Sequence, residues 1–508
     1  MQNFPWLTVL IAAPALGAVV LWLVRPLHRI VRPVAVAWSV VVLGGAIGAT
    51  IAYCADDGGT RLREQAAWIP QFGVSYALGV GGIGLTMILL STVLVPLVLV
   101  AAWKEQPTPT RSAHYAALVL ILEAFMVAVF AARDIFLFYV VFEAMLIPVY
   151  FLIGSFGGEH RKPAALKFLL YSLAGGLIML AGVIGLWALG PRGPEAFLVE
   201  NATGAGLSTS AERLIFLSFF IAFAIKAPMF PVHTWLPDAA QAARPGTSVL
   251  LVGVLDKVGT FGMVTLCLPL FPAAADWAAP VVIALAVISI LWGAGLALAQ
   301  TDILRLIAYT SVSHFGFIVL GIFAFNQTAE VGSAFYMVNH GLSTGALFFL
   351  AGFLIQRRGT QRIDQMGPGL QRTTPLLAGT FLVVGLSAIA LPGLSTFVSE
   401  FMVIVGAFQA NAVAAIIAAT GVILAALYIL ITYQKIFTGP PRDDLADTPD
   451  LSARELAVVG PLIASLLVLG FYPAPVLTAV EGEATASTAA VSTVAVADEA
   501  EADVEALG

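Results

Sequence analysis

The sequence is poor in charge: only 11% of its 508 residues are Asp, Glu, Lys or Arg, whereas 60% are hydrophobic. Soluble domains carry about 25% charged residues, so this composition excludes an ordinary soluble protein. The chain also lacks the basic surface that nucleic acid requires, and we expect no nucleic-acid partner. The composition predicts a polytopic membrane protein whose solvent is the lipid bilayer.

Cysteines and cofactor motifs are equally scarce. The two cysteines, Cys54 and Cys267, are isolated and support neither a disulfide framework nor a metal cluster. The glycine pattern of Gly79, Gly81 and Gly84 opens a predicted membrane helix with no predicted strand before it, so it does not indicate a nucleotide site. No quinone, flavin or iron–sulfur motif is visible, and we expect neither a cofactor nor a metal in this chain.

The two ends of the chain differ in character. The N-terminus lacks the basic region of a signal peptide, which predicts a first spanning helix that is kept. Beyond Tyr472 there is no Lys or Arg, and seven acidic residues there account for the net charge of −6. Because this stretch is acidic and rich in Ala, Val and Thr, we expect a disordered outer tail at 481–508.

Long apolar runs predict about fourteen membrane helices, since about 20 apolar residues span a bilayer. The predicted class is therefore an all-α polytopic membrane protein. The predicted helices cover residues 4–24, 33–54, 79–103, 113–132, 134–156, 163–190, 212–232, 246–270, 278–300, 303–325, 329–356, 373–408, 410–437 and 455–478. The odd-numbered connections and the helix turns beside them hold seventeen basic residues, against five for the even-numbered ones. This asymmetry predicts that the odd connections are cytoplasmic and that both termini lie on the outer side of a bacterial inner membrane.

Two of the predicted helices contain strong helix breakers. The seventh is broken at Pro228 and Pro231, beside Lys226, and the twelfth is broken at Pro392, ahead of Glu400. In lipid, the backbone groups that proline frees must be satisfied by protein or water. The breaks lie five helices apart, an odd offset that predicts two inverted five-helix repeats, as in transporters whose sites lie at broken helices. The predicted divisions are 1–110 (helices one to three), 111–270 and 271–437 (the two repeats), 438–480 (a loop and helix fourteen) and 481–508 (the tail).

Ionisable side chains occur in the middle of these apolar runs, where a charge costs about 2.5–3.5 kcal/mol on insertion scales. The main candidates are Glu143, Lys226, Lys257, His314, His340 and Glu400, and the secondary candidates are Glu123, His233 and Asp256. Several lie about ten residues into their helices, or about 15 Å, so we expect a row parallel to the membrane plane. Burial favours the neutral form of lysine and a nearby carboxylate favours the charged form, so moving that carboxylate switches the lysine between holding and releasing its proton. The set predicts a proton path.

Each candidate also has a structural interpretation. The lysines can act as buried links between helices, and the histidines can be satisfied core residues. Asp256 points about 100° away from Lys257 along a helix, so its partner stays open. His233 follows the break in helix seven, where packing and function are both possible. Glu123 has no helix breaker or motif beside it, so a structural role and a functional role are equally consistent with the sequence.

Four segments together resemble the antiporter-like subunits of respiratory complex I, and the similarity covers nearly the whole membrane body. They are KAPMFPVHTWLPDAA (226–240), SVLLVGVLDKVGTFGM (248–263), DILRLIAYTSVSHFGF (302–317) and LPGLSTFVSEFMVIVGAF (391–408). The resemblance implies a proton-translocating membrane subunit of NADH-quinone oxidoreductase, without a redox centre of its own and driven by quinone reduction elsewhere. It also implies partners: other membrane subunits of the complex, with the other antiporter-like chains on either side.

The resemblance implies roles for individual residues. Glu143 pairs with Lys226, Lys257 is the central lysine, His314 and His340 form a bridge, and Glu400 is the terminal site. Two of the three antiporter-like chain types carry a lysine where this chain has Glu400. The sequence departs from the family at Ala240 and Ala242, where a His and a Glu are usual, and at Asp256, where an apolar residue is usual. These departures concern cytoplasmic proton entry more than the central row.

Three alternatives stay open from the sequence. One is a subunit of an Mrp-type Na⁺/H⁺ antiporter, and a second is the membrane subunit of a membrane-bound hydrogenase or formate hydrogenlyase. The third is a structural scaffold subunit whose buried charges carry no protons.

Overall fold

Long apolar helices dominate the structure. The computed structural model describes residues 4–55 and 60–507, with side chains through residue 491. Within this part of the chain, twelve helices are long and apolar enough to cross a membrane. The predicted polytopic helical class is confirmed. The predicted twelfth span corresponds to two shorter helices, whereas the predicted seventh, 212–232, covers one helix that ends at Lys226 and part of the break after it.

The helices of the N-terminal half are as follows. They are α1 (Trp6–Leu23), α2 (Val31–Cys54), α3 (Gly82–Ala101), α4 (Pro109–Ala131), α5 (Ile135–Ala144), α6 (Leu146–Phe156), α7 (Arg161–Leu189), α8 (Val199–Ala202), α9 (Thr209–Lys226), α10 (Trp235–Ala242) and α11 (Pro245–Leu250). Short 3₁₀ turns cover Arg25–Ile30, Pro70–Phe72 and Ala102–Lys104.

The remaining helices complete the membrane body. They are α12 (Lys257–Gly262), α13 (Leu268–Leu270), α14 (Pro272–Leu298), α15 (Ile303–Phe323), α16 (Gln327–Arg358), α17 (Ile363–Met366), α18 (Pro375–Ala388), α19 (Ser395–Ala410), α20 (Ala412–Phe437), α21 (Ala453–Phe471) and α22 (Ala474–Leu507). The span Pro245–Leu270 contains two π-helical turns, Leu251–Leu255 and Met263–Cys267. Further 3₁₀ turns cover Leu370–Arg372 and Asp443–Leu445.

Polar caps fix where several spans begin. The Asp134 carboxylate accepts a hydrogen bond from the backbone N–H of Leu137 at 2.9 Å, which starts α5. Asp302 does the same for Leu304 at 2.9 Å at the start of α15. These caps satisfy backbone donors that the first turn of a helix leaves free.

A β-hairpin lies between α2 and α3 of the otherwise helical chain. Strands β1 (Arg61–Ile69) and β2 (Val74–Val80) pair antiparallel, with Gly73 in a left-handed conformation (φ +73°) at the turn. The predicted third helix, 79–103, therefore begins only at Gly82, because the residues before it belong to β2. The first glycine of the pattern, Gly79, lies in β2, but this strand belongs to a hairpin and not to the parallel unit of a nucleotide fold.

The two proline breaks lie where the sequence predicts them. Residues 227–234 separate α9 from α10, and residues 389–394 separate α18 from α19. Side chains satisfy part of the interrupted backbone: the N–H of Phe230 donates to Ser289 Oγ at 2.7 Å, and the indole of Trp235 donates to the carbonyl of Ile225 at 2.9 Å. Neighbouring side chains therefore satisfy part of the backbone at the first break, as the bilayer requires.

The C-terminal segment is a helix, α22, where we expected disorder from residue 481 onward. Small or apolar side chains recur every three or four positions and are buried, at Val480, Ala484, Ser487 and Val491. Two polar contacts fix this face: Ser487 Oγ donates to Glu330 Oε1 at 2.7 Å, and Glu483 accepts from the backbone N–H of Ile83 at 2.9 Å. The expectation was wrong because composition hid a helical stripe that packs on the membrane body.

Candidate functional site

Glu143 and Lys226 lie at one end of the candidate site, each at a break in its helix. Glu143 is the penultimate residue of α5, and Met145 separates α5 from α6. Lys226 is the last residue of α9, is 1% exposed, and its ammonium lies 4.8 Å from the ring centroid of Phe142. A Cβ at Gly176 of α7 would overlap the Glu143 carboxylate, so α7 leaves room for that carboxylate. The Glu143 carboxylate and the Lys226 ammonium therefore lie at neighbouring helix breaks.

The pairing of Glu143 and Lys226 is loose. Each interacts electrostatically with the other. Within the described residues, the Lys226 ammonium and Glu143 Oε1 nevertheless have no hydrogen-bond partner. Glu143 is only partly buried in this chain, whereas Lys226 is enclosed. An attraction without a fixed hydrogen bond can be switched by a small movement of either side chain.

Lys257 forms the centre of the site together with His340. Its Nζ lies 2.7 Å from His340 Nδ1 and donates to the carbonyl of Val252, within the first π-helical turn. It also lies 5.2 Å from the ring centroid of Phe315. Both partners are fully enclosed, with exposures of 0% for Lys257 and 1% for His340. Because imidazole and amine can each hold or release a proton, this contact suits proton exchange.

The site continues from His340 to Glu400. The ring centroids of His314 and His340 are 5.2 Å apart, and those of His314 and Tyr336 are 6.0 Å apart. The Tyr336 hydroxyl donates to Glu400 Oε2 at 2.5 Å, and Glu400 is 5% exposed. We call Lys257, His340, His314, Tyr336 and Glu400 the buried row.

The secondary candidates separate into two groups. Asp256 lies beside Lys257, is fully buried, and interacts electrostatically with both Lys226 and Lys257. Glu123 is fully buried in α4, and neither of its carboxylate oxygens has a hydrogen-bond partner among the described residues. His233 lies in the break after α9, where its ring contacts Phe230 with centroids 6.0 Å apart. Asp256 thus joins the site, whereas these contacts do not connect Glu123 or His233 to the buried row.

A surface cluster lies near His233, at the end of the bundle that carries the basic connections. Asp238 of α10 pairs with Lys167 at 2.7 Å and also with Arg305. Gln241 donates to Asp302 at 2.9 Å next to this pair. The cluster joins α7, α10 and α15. It lies beside Ala240 and Ala242, the positions where the resembled family usually has a His and a Glu.

Sequence reasoning missed Tyr336 and the backbone irregularities. Tyr336 lies four residues before His340 in α16, which places both side chains on one helix face, and this spacing was the available signal. The interruption at Met145 and the π-helical turns around Asp256 have no comparable marker in the sequence. Among the described residues, no group of three or more His, Cys, Asp or Glu side chains is placed to hold a metal ion.

Comparison with known proteins gives consistent matches. A family model described as "NADH:quinone oxidoreductase/Mrp antiporter, TM" matches residues 132–427. NADH-quinone oxidoreductase subunit M of Mycobacterium tuberculosis is 45% identical over 513 aligned residues, covering 94% of this chain and 93% of the relative. The subunit M of Escherichia coli (strain K12) is 39% identical, covering 81% and 82% of the two chains.

Two solved structures contain chains whose folds are similar to that of this chain. A chain of respiratory complex I from Thermus thermophilus superposes with a TM-score of 0.88 at 32% identity, covering 96% of this chain and 99% of that one. A chain of the Mrp complex from Dietzia sp. DQ12-45-1b gives a TM-score of 0.85 at 23% identity, covering 97% and 100%, which is a likeness of fold alone. The chain belongs to the family of NADH:quinone oxidoreductase and Mrp antiporter membrane subunits.

Proposed function

We propose that this chain is the M-type proton-translocating subunit of a bacterial NADH-quinone oxidoreductase. The observation that carries the proposal is the buried row, in which Lys257, His340, His314, Tyr336 and Glu400 follow one another through the membrane body. An ionisable residue within a membrane segment marks an ion or proton path by default, because its charge is expensive there. The M subunits at 39–45% identity support the same assignment.

Each of these residues has a separate role in moving a proton. Glu143 attracts Lys226 and stabilises its ammonium form, so separation of the two favours release of the lysine's proton. Lys257 passes a proton to His340 at their 2.7 Å contact, where an N–H bond breaks on one residue and forms on the other. His314 and Tyr336 lead on to Glu400, which holds a proton as the terminal carboxyl. Quinone reduction elsewhere in the complex supplies the energy.

The proposal includes an orientation and neighbours. The excess of basic residues in the odd-numbered connections supports a cytoplasmic location for that side, with both termini outside. Exposed apolar residues on α1, α2, α20 and α21, such as Leu23, Val41, Ile423 and Phe471, fit lipid and neighbouring membrane subunits. We place the L-type and N-type antiporter-like chains on either side, and two inverted five-helix repeats within 111–270 and 271–437.

A sodium–proton antiporter of the Mrp type is the second candidate. The fold likeness to the Mrp complex at TM-score 0.85 favours it, but that match is only 23% identical. Glu400, where a lysine is usual in two of the three complex I chain types, fits the M type. A scaffold role explains the buried row less well, because a scaffold has no need of enclosed charges.

Proton pumping by membrane vesicles carrying the assembled complex tests the proposal. Glu143→Gln and Lys226→Met keep the size of each side chain but remove its charge, and both are expected to abolish coupled pumping. Lys162→Ala, at an exposed lysine of α7, is the matched control and should pump normally. A native gel must show that each variant assembles. Normal pumping by assembled Glu143→Gln and Lys226→Met would refute the proposal, and pumping that depends on Na⁺ would favour the antiporter.

A further inference from the structure

Asp256 is a buried carboxylate that the roles proposed above leave unused. It lies between the π-helical turn Leu251–Leu255 and α12, and it is 0% exposed. Neither carboxylate oxygen has a hydrogen-bond partner among the described residues. A buried charge without a hydrogen bond is expensive, so its position calls for an explanation.

The helix around Asp256 presents two different faces. One face points to α16: Lys257 Nζ meets His340 Nδ1 at 2.7 Å, and Thr260 Oγ1 donates to Met337 Sδ at 3.2 Å. Lys257 and Thr260 are three residues apart, so they share one side of the helix. This face belongs to the buried row.

The other face points to the broken end of α9. A Cβ on Gly259 would lie 2.5 Å from the carbonyl oxygen of Phe223 and 2.7 Å from the N of Ala227, so the two backbones are in close contact there. Asp256 precedes Gly259 by three residues and Thr260 by four, so it lies at the border between the two faces. Lys226, the last residue of α9, lies at this contact.

The contacts described above do not connect Lys226 to Lys257, whereas Asp256 interacts with both lysines. The buried row starts at Lys257, whereas Lys226 contacts the ring of Phe142 and has no hydrogen-bond partner among the described residues. The Asp256 carboxylate interacts electrostatically with both ammonium groups. The Lys257 ammonium makes its hydrogen bonds to Val252 and His340, so Asp256 is not fixed as its salt-bridge partner.

We propose that Asp256 is the proton relay between Lys226 and Lys257. The proposal rests on the function proposed above. The carboxylate takes a proton from the Lys226 ammonium, so that an N–H bond breaks and an O–H bond forms. It then gives that proton to the Lys257 amine, which becomes the ammonium that faces His340. Because no hydrogen bond from the described residues fixes the carboxylate, the relay needs none to break when the carboxylate passes the proton from one lysine to the other.

Proton pumping by the assembled complex in membrane vesicles tests the relay, with Asp256→Asn and Glu143→Gln measured side by side. Asp256→Asn keeps the side-chain size and removes the proton-accepting oxygen. The rate of proton pumping should fall by about tenfold or more, because a positioned proton-transfer group accelerates such a step by about a hundredfold. Asp276→Asn, at an exposed aspartate of α14, is the control and should pump normally.

The outcomes separate the relay from the function on which it rests. Loss of pumping in both Asp256→Asn and Glu143→Gln supports the relay. Loss in Glu143→Gln alone overturns the relay and leaves the proposed function standing, and normal pumping in both overturns the two together. If Asp256→Asn does not assemble, Asp256→Glu decides. A shifted pH profile of pumping in that variant supports the relay, and an unchanged profile or failed assembly overturns it.

Discussion

Replacing Tyr336 by Phe removes one hydroxyl from the end of the buried row. That hydroxyl donates to Glu400 Oε2 at 2.5 Å, and both side chains are almost fully enclosed, with exposures of 1% and 5%. The phenyl ring of the variant fills the same space, so the helix packing between α16 and α19 should be kept. The change therefore isolates one hydrogen bond to one carboxylate.

The size of the effect follows from the burial of this contact. A hydrogen bond to a charged group is worth about 1.5–3 kcal/mol. Because about 1.4 kcal/mol corresponds to a factor of ten, the ratio of ionised to neutral Glu400 should fall by about ten- to a hundredfold in Tyr336→Phe. The sign follows from the donor: the hydroxyl stabilises the ionised carboxylate, so its loss favours the neutral form, and Glu400 gives up its proton less readily.

The assay is the pH profile of proton pumping by the assembled complex in vesicles, together with the infrared C=O stretch of protonated carboxyl groups. The profile of Tyr336→Phe should move to higher pH, and the protonated-carboxyl band should persist at higher pH than in the parent. Tyr428→Phe is the matched control, since the Tyr428 hydroxyl is also buried and interacts electrostatically with Glu400 but has no hydrogen-bond partner in the described part of the chain. Identical pH profiles for Tyr336→Phe, Tyr428→Phe and the parent complex would refute the reasoning.

Three further predictions concern packing and stability. Gly259→Ala should prevent assembly on a native gel, because the added Cβ would meet backbone atoms of α9 at 2.5 Å, whereas Gly295→Ala should assemble because nothing lies within 4 Å of its Cβ. Glu455→Gln should destabilise the chain by about 3–5 kcal/mol, measured as a lower thermal midpoint of the solubilised complex, because it leaves the enclosed Arg357, 2.6 Å away, without its counter-charge. Burial raises the pKa of Glu105, in the connection after α3, to about 7. Ionising this carboxyl destabilises the fold as pH rises from about 4.5 to about 7, so Glu105→Gln should raise the thermal midpoint more at pH 8 than at pH 5; an equal gain at both values would contradict this assignment.

The sequence was sufficient to predict most of the membrane body. Apolar runs of about 20 residues predict spans because lipid demands them, and the prolines near Lys226 and at Pro392 place the two breaks where the structure has them. The contact between Lys257 and His340 also agrees with the expected row, since equal depth in neighbouring helices brings such side chains together. These predictions depend on rules that the bilayer enforces over the whole length of a helix.

Other features depend on tertiary contacts that the sequence does not display. The hairpin β1–β2 forms outside the apolar runs, and α22 is held by a stripe of small side chains against the membrane body. Tyr336 gains its role from the approach of α19, which brings Glu400 to its hydroxyl. The sequence also does not show which helix packs beside Asp256 and Gly259. Only the contact between Gly259 and the backbone of α9 shows it.

Four buried ionisable side chains coincide with irregular backbone, and this coincidence has a physical reason: they are Glu143, Lys226, Asp256 and Lys257. A regular membrane helix satisfies its own carbonyls and offers little to a charge, whereas a π-helical turn or a break changes that pattern. Here the N–H of Asp256 donates to the carbonyl of Leu251 at 3.1 Å, five residues back, and the neighbouring Val252 carbonyl accepts from the Lys257 ammonium. Lys226 likewise ends a helix, and Glu143 precedes an interruption. At Lys257 the irregular turn thus supplies a polar partner for a buried charge, which a regular helix with satisfied backbone would not offer.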